Sequence, residues 1–538
     1  MGIYLNSKTA LHMFKMDTEQ PYFVDKSQIL NEIIPLVDKG GSQICITRPR
    51  RFGKTVMANL ISSFFSKGCD ADDIFKRLQI SNNKDYRQYL NQYPVIHVSF
   101  NKQPRRCSSY SDYIDRIEGI LIKDIMEAFP DAEIDPSEAV WDILLSLNSK
   151  NDSAKFIFIL DEWDYIFHQS FVTEADQASY LSFLQNLLKD MPYVVFTYMT
   201  GILPIAKYSS GSELNMFLEY TMATEEKFSQ YFGFTEEEVN MLFDRYLACT
   251  EKPHLTREGL QNWYDGYYSK SGKRLYNPRS VVTSLKNNNF GNYWTSSGPY
   301  DEIYYYIEHN VAAVRDDLAL MAAGIAVPVR IWEYAATSMH LQTKEEIFSA
   351  MVVYGFLTYK DGKVSIPNRE LLDKFSAMLR KEPSLGYVYR LAKASDRMLQ
   401  ATLAGDTDTM SEILELAHDT EVPLLSYNNE TELTAVVNLV YISARDAYRI
   451  EREDKAGKGY VDFIFYPEVD KTADCIILEL KVDHTPMEAI QQIKDKKYAL
   501  KFFGKIGGTP GYTGRILAVG ISYDKSTKRH SCQVEVLS

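Results

Sequence analysis

Eight consecutive residues, Arg48-Pro49-Arg50-Arg51-Phe52-Gly53-Lys54-Thr55, gather four cations and a hydroxyl around one glycine, directly after an apolar run that ends at Thr47. A strand that enters such a loop and leaves it as a helix presents backbone N–H groups and a helix N-terminus to an anion. In that setting Lys54 reaches the outer phosphates of a nucleotide and the Thr55 hydroxyl ligates Mg²⁺, with Arg50, Arg51, Phe52 and Gly53 completing the cradle. The glycine that usually opens such a loop is replaced by Arg48, so only Gly53 admits a close phosphate approach.

About a hundred residues on, the run Phe156-Ile157-Phe158-Ile159-Leu160 ends in Asp161-Glu162. A fully buried strand delivers carboxylates at its C-terminal end, where helix-covered parallel sheets place their ligands. Asp161 then holds Mg²⁺ through Thr55 and water, and Glu162 polarises the water that attacks the γ-phosphate. A further run, Val194–Met199, ends in Thr200-Gly201 and puts Thr200 where the γ-phosphate can be sensed. Arg279 offers a charge that could stabilise the transition state, or a plain surface turn.

A second group of acids lies near the C-terminal end. Asp462 sits in Tyr460-Val461-Asp462-Phe463, and Ile477-Leu478-Glu479-Leu480-Lys481 follows in the pattern D-x(16)-E-x-K. Strand side chains alternate, so Glu479 and Lys481 share one face while Leu478 and Leu480 share the other. With Asp462 on the adjacent strand, two carboxylates can bind Mg²⁺ and Lys481 can orient the water that attacks a phosphodiester. Glu432, in the helix that Glu430 opens, can stand over the same metal, and Gln492 lies on the helix after the E-x-K strand. A solvated strand face is the plainer reading of E-x-K alone.

These groups need elements to hold them. Up to about residue 210, short apolar runs at Gln43–Thr47, Val95–Phe100, Phe156–Leu160 and Val194–Met199 alternate with helical stretches such as Val56–Phe65, Tyr110–Phe129 and Tyr180–Leu188, the rhythm of a parallel sheet. The expected units are an α/β nucleotide-binding core over 1–215, a helical lid over 216–330, a winged-helix-like segment over 331–380, a helical connector over 381–425 and an α/β domain over 426–538. Within the winged segment, helix, strand, turn, strand and helix succeed one another from Thr343 to Leu379. It can bind DNA through its recognition helix and wing, or serve as a small lid; Thr343-Lys344-Glu345-Glu346-Ile347 is not especially basic, which favours the lid.

Composition bounds the reading. A chain of 538 residues exceeds what one core supports. Its 45% hydrophobic and 24% charged residues suit packed globular domains and exclude a disordered chain. The six cysteines are scattered, with no C-x-x-C pair, which fits a reducing cytoplasm and excludes a zinc knuckle. Neither a signal peptide nor a membrane span is expected. The net charge is −13, but residues 441–538 hold 16 Lys and Arg against 14 Asp and Glu, so nucleic-acid contact at that end is electrostatically open.

Several of these stretches occur together in one family. Arg48 to Thr55, the lead-in Tyr22-Phe23-Val24-Asp25-Lys26, Leu160-Asp161-Glu162, Thr200-Gly201-Ile202, Trp263-Tyr264-Asp265-Gly266-Tyr267 and Tyr276-Asn277-Pro278-Arg279-Ser280 resemble the AAA-ATPase-like proteins of bacteria and archaea over most of residues 20–300. Arg48 at the first glycine is usual there. Residues 425–525 resemble the PD-(D/E)xK nuclease superfamily, in the version appended to such ATPases, on Glu479-Leu480-Lys481 and the run Ala489 to Tyr498. The resemblance implies a P-loop NTPase sheet of AAA type with a lid, a restriction-endonuclease-like C-terminal domain, ATP and Mg²⁺ as cofactors, and DNA or RNA as partner. A homo-oligomer is compatible with it, and no membrane partner is expected. The function implied is an ATPase that gates a nuclease, in defence against foreign nucleic acid; the alternative is a nucleotide-switched binding or scaffold protein whose nuclease-like domain does not cut.

Overall fold

A computed structural model describes residues 2–37, 43–151, 154–205, 214–223, 225–294, 311–331, 341, 343–416, 430–456, 459–468, 470–502, 505–506, 509–510 and 511–537. Five strands, β1 (Gln43–Thr47), β2 (Val95–Ser99), β3 (Phe156–Asp161), β4 (Val194–Gly201) and β5 (Leu218–Tyr220), form one parallel sheet in the order β2-β3-β4-β1-β5. Every residue of β3 is buried, because both faces of the sheet are covered. Phe156, Phe158 and Leu160 enter one apolar cluster, and Ile157 and Ile159 enter another on the opposite face.

This strand order positions the first group of chemistry-bearing residues. With β4 between β1 and β3, Thr200 lies level with Ile46 on one side and Asp161 on the other. The phosphate loop at the end of β1 and the acids at the end of β3 therefore flank the tip of β4. Strand β5 was not expected: it is three residues long, too short for its apolar–polar–apolar order to stand out, and it extends the sheet past residue 215.

A small hairpin, β6 (Tyr267–Tyr268) and β7 (Arg274–Leu275), interrupts the helical lid region. Next comes a three-stranded sheet of β8 (Val327–Pro328), β9 (Thr358–Lys360) and β10 (Lys363–Ser365), ordered β8-β10-β9. The helix Lys344–Tyr354 precedes β9; Thr343 opens it with a capping box and Gly355 closes it at φ 85°. Ile347, Phe348, Ser349, Ala350, Met351, Val352 and Tyr354 on this helix are all buried. A Cβ added to Gly355 would stand 2.6 Å from Cβ of Pro49, so the helix end is packed onto the phosphate loop.

The C-terminal sheet joins β11 (Tyr448–Ala456), β12 (Gly459–Pro467), β13 (Cys475–Val482), β16 (Ile516–Asp524) and β17 (Arg529–Val536) in the order β11-β12-β13-β16-β17; a two-stranded hairpin of β14 (Lys505–Ile506) and β15 (Thr509–Pro510) lies outside it. Only the β13–β16 pair is parallel. The helix Pro486–Asp495 makes that crossover, and it lies so close to β16 that a Cβ on Gly520 would meet the Pro486 carbonyl at 2.1 Å. The helix that carries Gln492 stops at Asp495 and is followed by a 3₁₀ turn at Tyr498–Phe502, because Lys497 takes a left-handed φ of 56°. One apolar cluster runs from Leu160 through Phe348 to Leu478, so the domains meet through packed side chains.

Candidate functional sites

At the end of β1 the loop turns into the helix Lys54–Phe65 with Gly53 as its N-cap, at φ 90°. A Cβ there would meet nothing within 4 Å, so the requirement for glycine is the backbone angle itself. Arg51 also takes a left-handed φ, 69°, and side-chain-bearing residues held there store strain. Lys54 is buried, and its Nζ donates to the Arg48 carbonyl at 2.8 Å and the Pro49 carbonyl at 2.9 Å. Burial lowers its ammonium to about 8, against the upward pull of Asp164, Asp161 and Glu162. The loop thus keeps a cation inside its own curl.

Asp161, 1% exposed, is pushed up to about 7 by burial and then by the charge of Glu162, while a hydrogen bond with Thr55 and the charge of Lys54 pull it down. Its Oδ1 is buried without a hydrogen-bond partner. A lone buried acceptor between a threonine hydroxyl and a second acid suits a divalent cation. Glu162 follows at φ 56°, half-buried. Thr200 is fully buried, and its hydroxyl donates to the Ile46 carbonyl at 2.8 Å.

Arg50 is half-buried and Arg51 exposed; the charges of Arg279 and Arg50 both act on Arg51. Phe52 is buried, with its ring edge-to-face on Tyr267 at 5.0 Å and its carbonyl accepting from Gly233 N–H at 3.3 Å. Its side chain anchors the loop, leaving the cradle to the backbone. Arg48 turns inward and donates from one terminal nitrogen to the carbonyls of Thr47, at 2.7 Å, and Tyr220, at 2.8 Å, while its guanidinium lies over Phe232. The arginine at the glycine's place is therefore a tie between β1 and β5.

Sequence reasoning missed Asp164. It is buried, accepts from the N–H groups of Ile202 and Leu203 at 2.9 and 2.8 Å, and exerts the largest of the carboxylate effects on Lys54. Its place three residues after Asp161, at the end of the same apolar run, was the available signal.

The second site forms at β12 and β13. Asp462 Oδ2 accepts from Leu480 N–H at 2.7 Å, which locks the two strands side by side. Glu479, 3% exposed, accepts on Oε1 from the Gln492 amide, and Lys481 Nζ stands 3.6 Å from the same oxygen. Burial and the charge of Asp462 push Glu479 up to about 7. Its Oε2 is buried without a hydrogen-bond partner, as Asp161 Oδ1 is in the first site, and such an acceptor suits a divalent cation. Asp462, Glu479, Lys481 and Gln492 are thus brought together. Glu432 is half-buried on the helix Glu430–Val440, which packs against β13. Among the described residues, no group of three or more His, Cys, Asp and Glu is placed to hold a metal. Among them, too, no helix is long and apolar enough to cross a membrane.

Comparison with known proteins finds a family match in each of the two regions that carry these sites. Residues 11–210 match the family described as predicted AAA-ATPases, and residues 429–530 match the PD-(D/E)XK nuclease superfamily. An uncharacterized protein from the vnfD 5′ region of Azotobacter chroococcum is 24% identical over 281 residues, 52% of this chain and 51% of its own length. The chain therefore spans about half of that relative. Among solved structures, a Walker-type ATPase of Pyrococcus abyssi is similar at 12% identity and a TM-score of 0.36, over 65% of this chain and 94% of its own. The ORC2 protein of Aeropyrum pernix, in ADPNP and ADP complexes, is similar at 11% identity and a TM-score of 0.32, over 65% and 91%. The chain joins a domain of the predicted AAA-ATPase family to a domain of the PD-(D/E)XK nuclease superfamily.

Proposed function

We propose that this chain binds and hydrolyses ATP with Mg²⁺ in its N-terminal domain and, under that control, cuts DNA or RNA with its C-terminal domain, a pairing suited to defence against foreign nucleic acid. The observation that carries the reading is the Glu479 carboxylate, buried with one oxygen unpartnered beside Asp462, Lys481 and Gln492. A divalent cation held there by Asp462 and Glu479 would polarise the phosphodiester and lower the pKa of a bound water. Lys481 orients that water, Gln492 fixes the Glu479 carboxylate, and Glu432 closes the site from its helix. In the other site Gly53, Lys54 and Thr55 receive the phosphates, with Arg50 and Arg51 beside them and Thr200 beneath. Asp161 and Thr55 would hold Mg²⁺, and Glu162 would orient the attacking water.

Control is supported by a continuous seam. Lys54 holds the Pro49 carbonyl, Pro49 packs on Gly355, and the Gly355 carbonyl accepts from the Tyr267 hydroxyl at 2.9 Å. Phosphates that draw Lys54 off its own loop disturb that contact. Beyond the hairpin β9–β10, Glu370 accepts from Ser280 at 2.7 Å, next to Arg279. Its neighbour Arg369 pairs with Glu468 at 2.9 Å and donates to the Arg445 carbonyl. Glu468 directly follows β12, the strand of Asp462. The buried helix Lys344–Tyr354 favours the lid role for the winged segment, since a helix covered on its sides has no face for a groove.

The decisive experiment incubates the full chain with single- and double-stranded DNA and RNA, with and without ATP, in Mg²⁺ or Mn²⁺. Metal-dependent cleavage that disappears in Glu479→Ala is expected. Nucleotide-dependent binding without products would instead establish the scaffold reading.

A further inference from the structure

We propose that Lys496 binds a backbone phosphate of the nucleic acid, beside the phosphate seated over Asp462 and Glu479, and so positions the substrate. This inference rests on the nuclease reading above. Gln492 lies on the helix Pro486–Asp495, and Lys496, four residues on, is its C-cap in right-handed helical backbone, with its N–H donating to the Gln492 carbonyl at 3.0 Å. Side chains four apart share a helix face. The Gln492 amide shows what that face overlooks, because it donates to Glu479. Lys496 stands one turn beyond, about 5–6 Å along the axis, and its charge reaches the Glu479 carboxyl.

Neighbouring lysines have other engagements. Lys494 is paired with Glu535, and Lys481 lies against Glu479. Lys497 is exposed, on a left-handed residue that turns the chain away. Lys496 is half-buried, its ammonium 6.0 Å from the ring centroid of the buried Tyr498, and it makes no ion pair among the described residues. An ammonium held against an aromatic ring, without an acid of its own and on the face that carries Gln492, is placed to accept an anion that comes and goes. Phosphate oxygens are the anions a phosphodiester substrate brings, and lysine meets them as a point charge.

The test uses the full chain with ATP, with Ca²⁺ replacing Mg²⁺ so that oligonucleotides bind uncut. Affinity for labelled single-stranded and duplex probes is measured against salt for wild type, Lys496→Ala, Lys496→Arg and Lys497→Ala. Lys496→Ala is expected to weaken binding about 5–10-fold and to reduce the salt slope by about 0.7–0.9. Lys496→Arg retains both and Lys497→Ala changes neither; with Mg²⁺ restored, Lys496→Ala raises KM and leaves kcat. If wild type cuts and binds while Lys496→Ala matches it, or matches Lys497→Ala, the proposal is overturned. A wild type that neither binds nor cuts refutes the nuclease reading itself, a separable outcome.

Discussion

Asp161 at the tip of β3 and Glu479 on β13 are the same electrostatic object in two domains: a buried carboxyl, raised to about 7 by burial and a neighbouring acid, with one oxygen unpartnered. Their lysines separate them. Lys54 is held by the carbonyls of its own loop and feels its acids at a distance, whereas Lys481 stands 3.6 Å from the acid itself. One arrangement suits a ligand that arrives with its own negative charge and competes for the lysine. The other suits a cation and a water assembled around the protein's acid.

The largest effects should split along that line. Glu479→Gln and Lys481→Ala are expected to reduce cleavage by about 10²–10⁴-fold while ATP binding, read by a fluorescent analogue, stays unchanged; a parallel loss of ATP binding would break the comparison. Lys54→Ala should weaken ATP binding by about 10–100-fold, the scale of hydrogen bonds to a charged group, and leave binding of uncut oligonucleotide in Ca²⁺ intact.

The two acids should also share a pH signature. A carboxyl raised from its ordinary value to about 7 keeps its proton in the folded state where the unfolded chain has lost it. Stability without metal therefore falls as pH rises from about 4 to about 7 and stays reduced above that range. Glu479→Gln should relieve the penalty by roughly 1–3 kcal/mol at pH 8 and by nothing at pH 4, seen as a widening Tm difference. Divalent-cation affinity should drop about tenfold per pH unit below 7, measured by calorimetry; a flat profile would mean the acids ionise together without strain.

The smallest effect concerns the junction. Arg369→Ala should leave ATP binding and ATP-free cleavage near wild type but cut the ATP-dependent change in cleavage several-fold, a fraction of a typical coupling energy. Equal losses in all three readouts would make the Arg369–Glu468 pair a structural brace only.

Much of this was readable because its signals are local. The all-apolar run of β3, the Gly-Lys-Thr turn and the alternation of β13 each encode burial, backbone angle or face within a few residues. What escaped depends on partners far away in the chain. Leu218–Tyr220 becomes a strand because Ile44 to Ile46 offer it an open edge. Arg48 stands in the sequence only as a departure from glycine, and its use as a tie is seen once the Tyr220 carbonyl is found to accept from it. Asp164 reveals its use only where Ile202 and Leu203 turn their N–H groups toward it.

The covered helix Lys344–Tyr354 has a consequence for selectivity. Base edges are told apart chiefly in the major groove, by an element thin and free enough to enter it, and the winged segment keeps its own candidate element inside the protein. If the proposed nuclease reading holds, discrimination among polynucleotides falls to what a phosphodiester site can sense, such as strand ends and backbone flexibility.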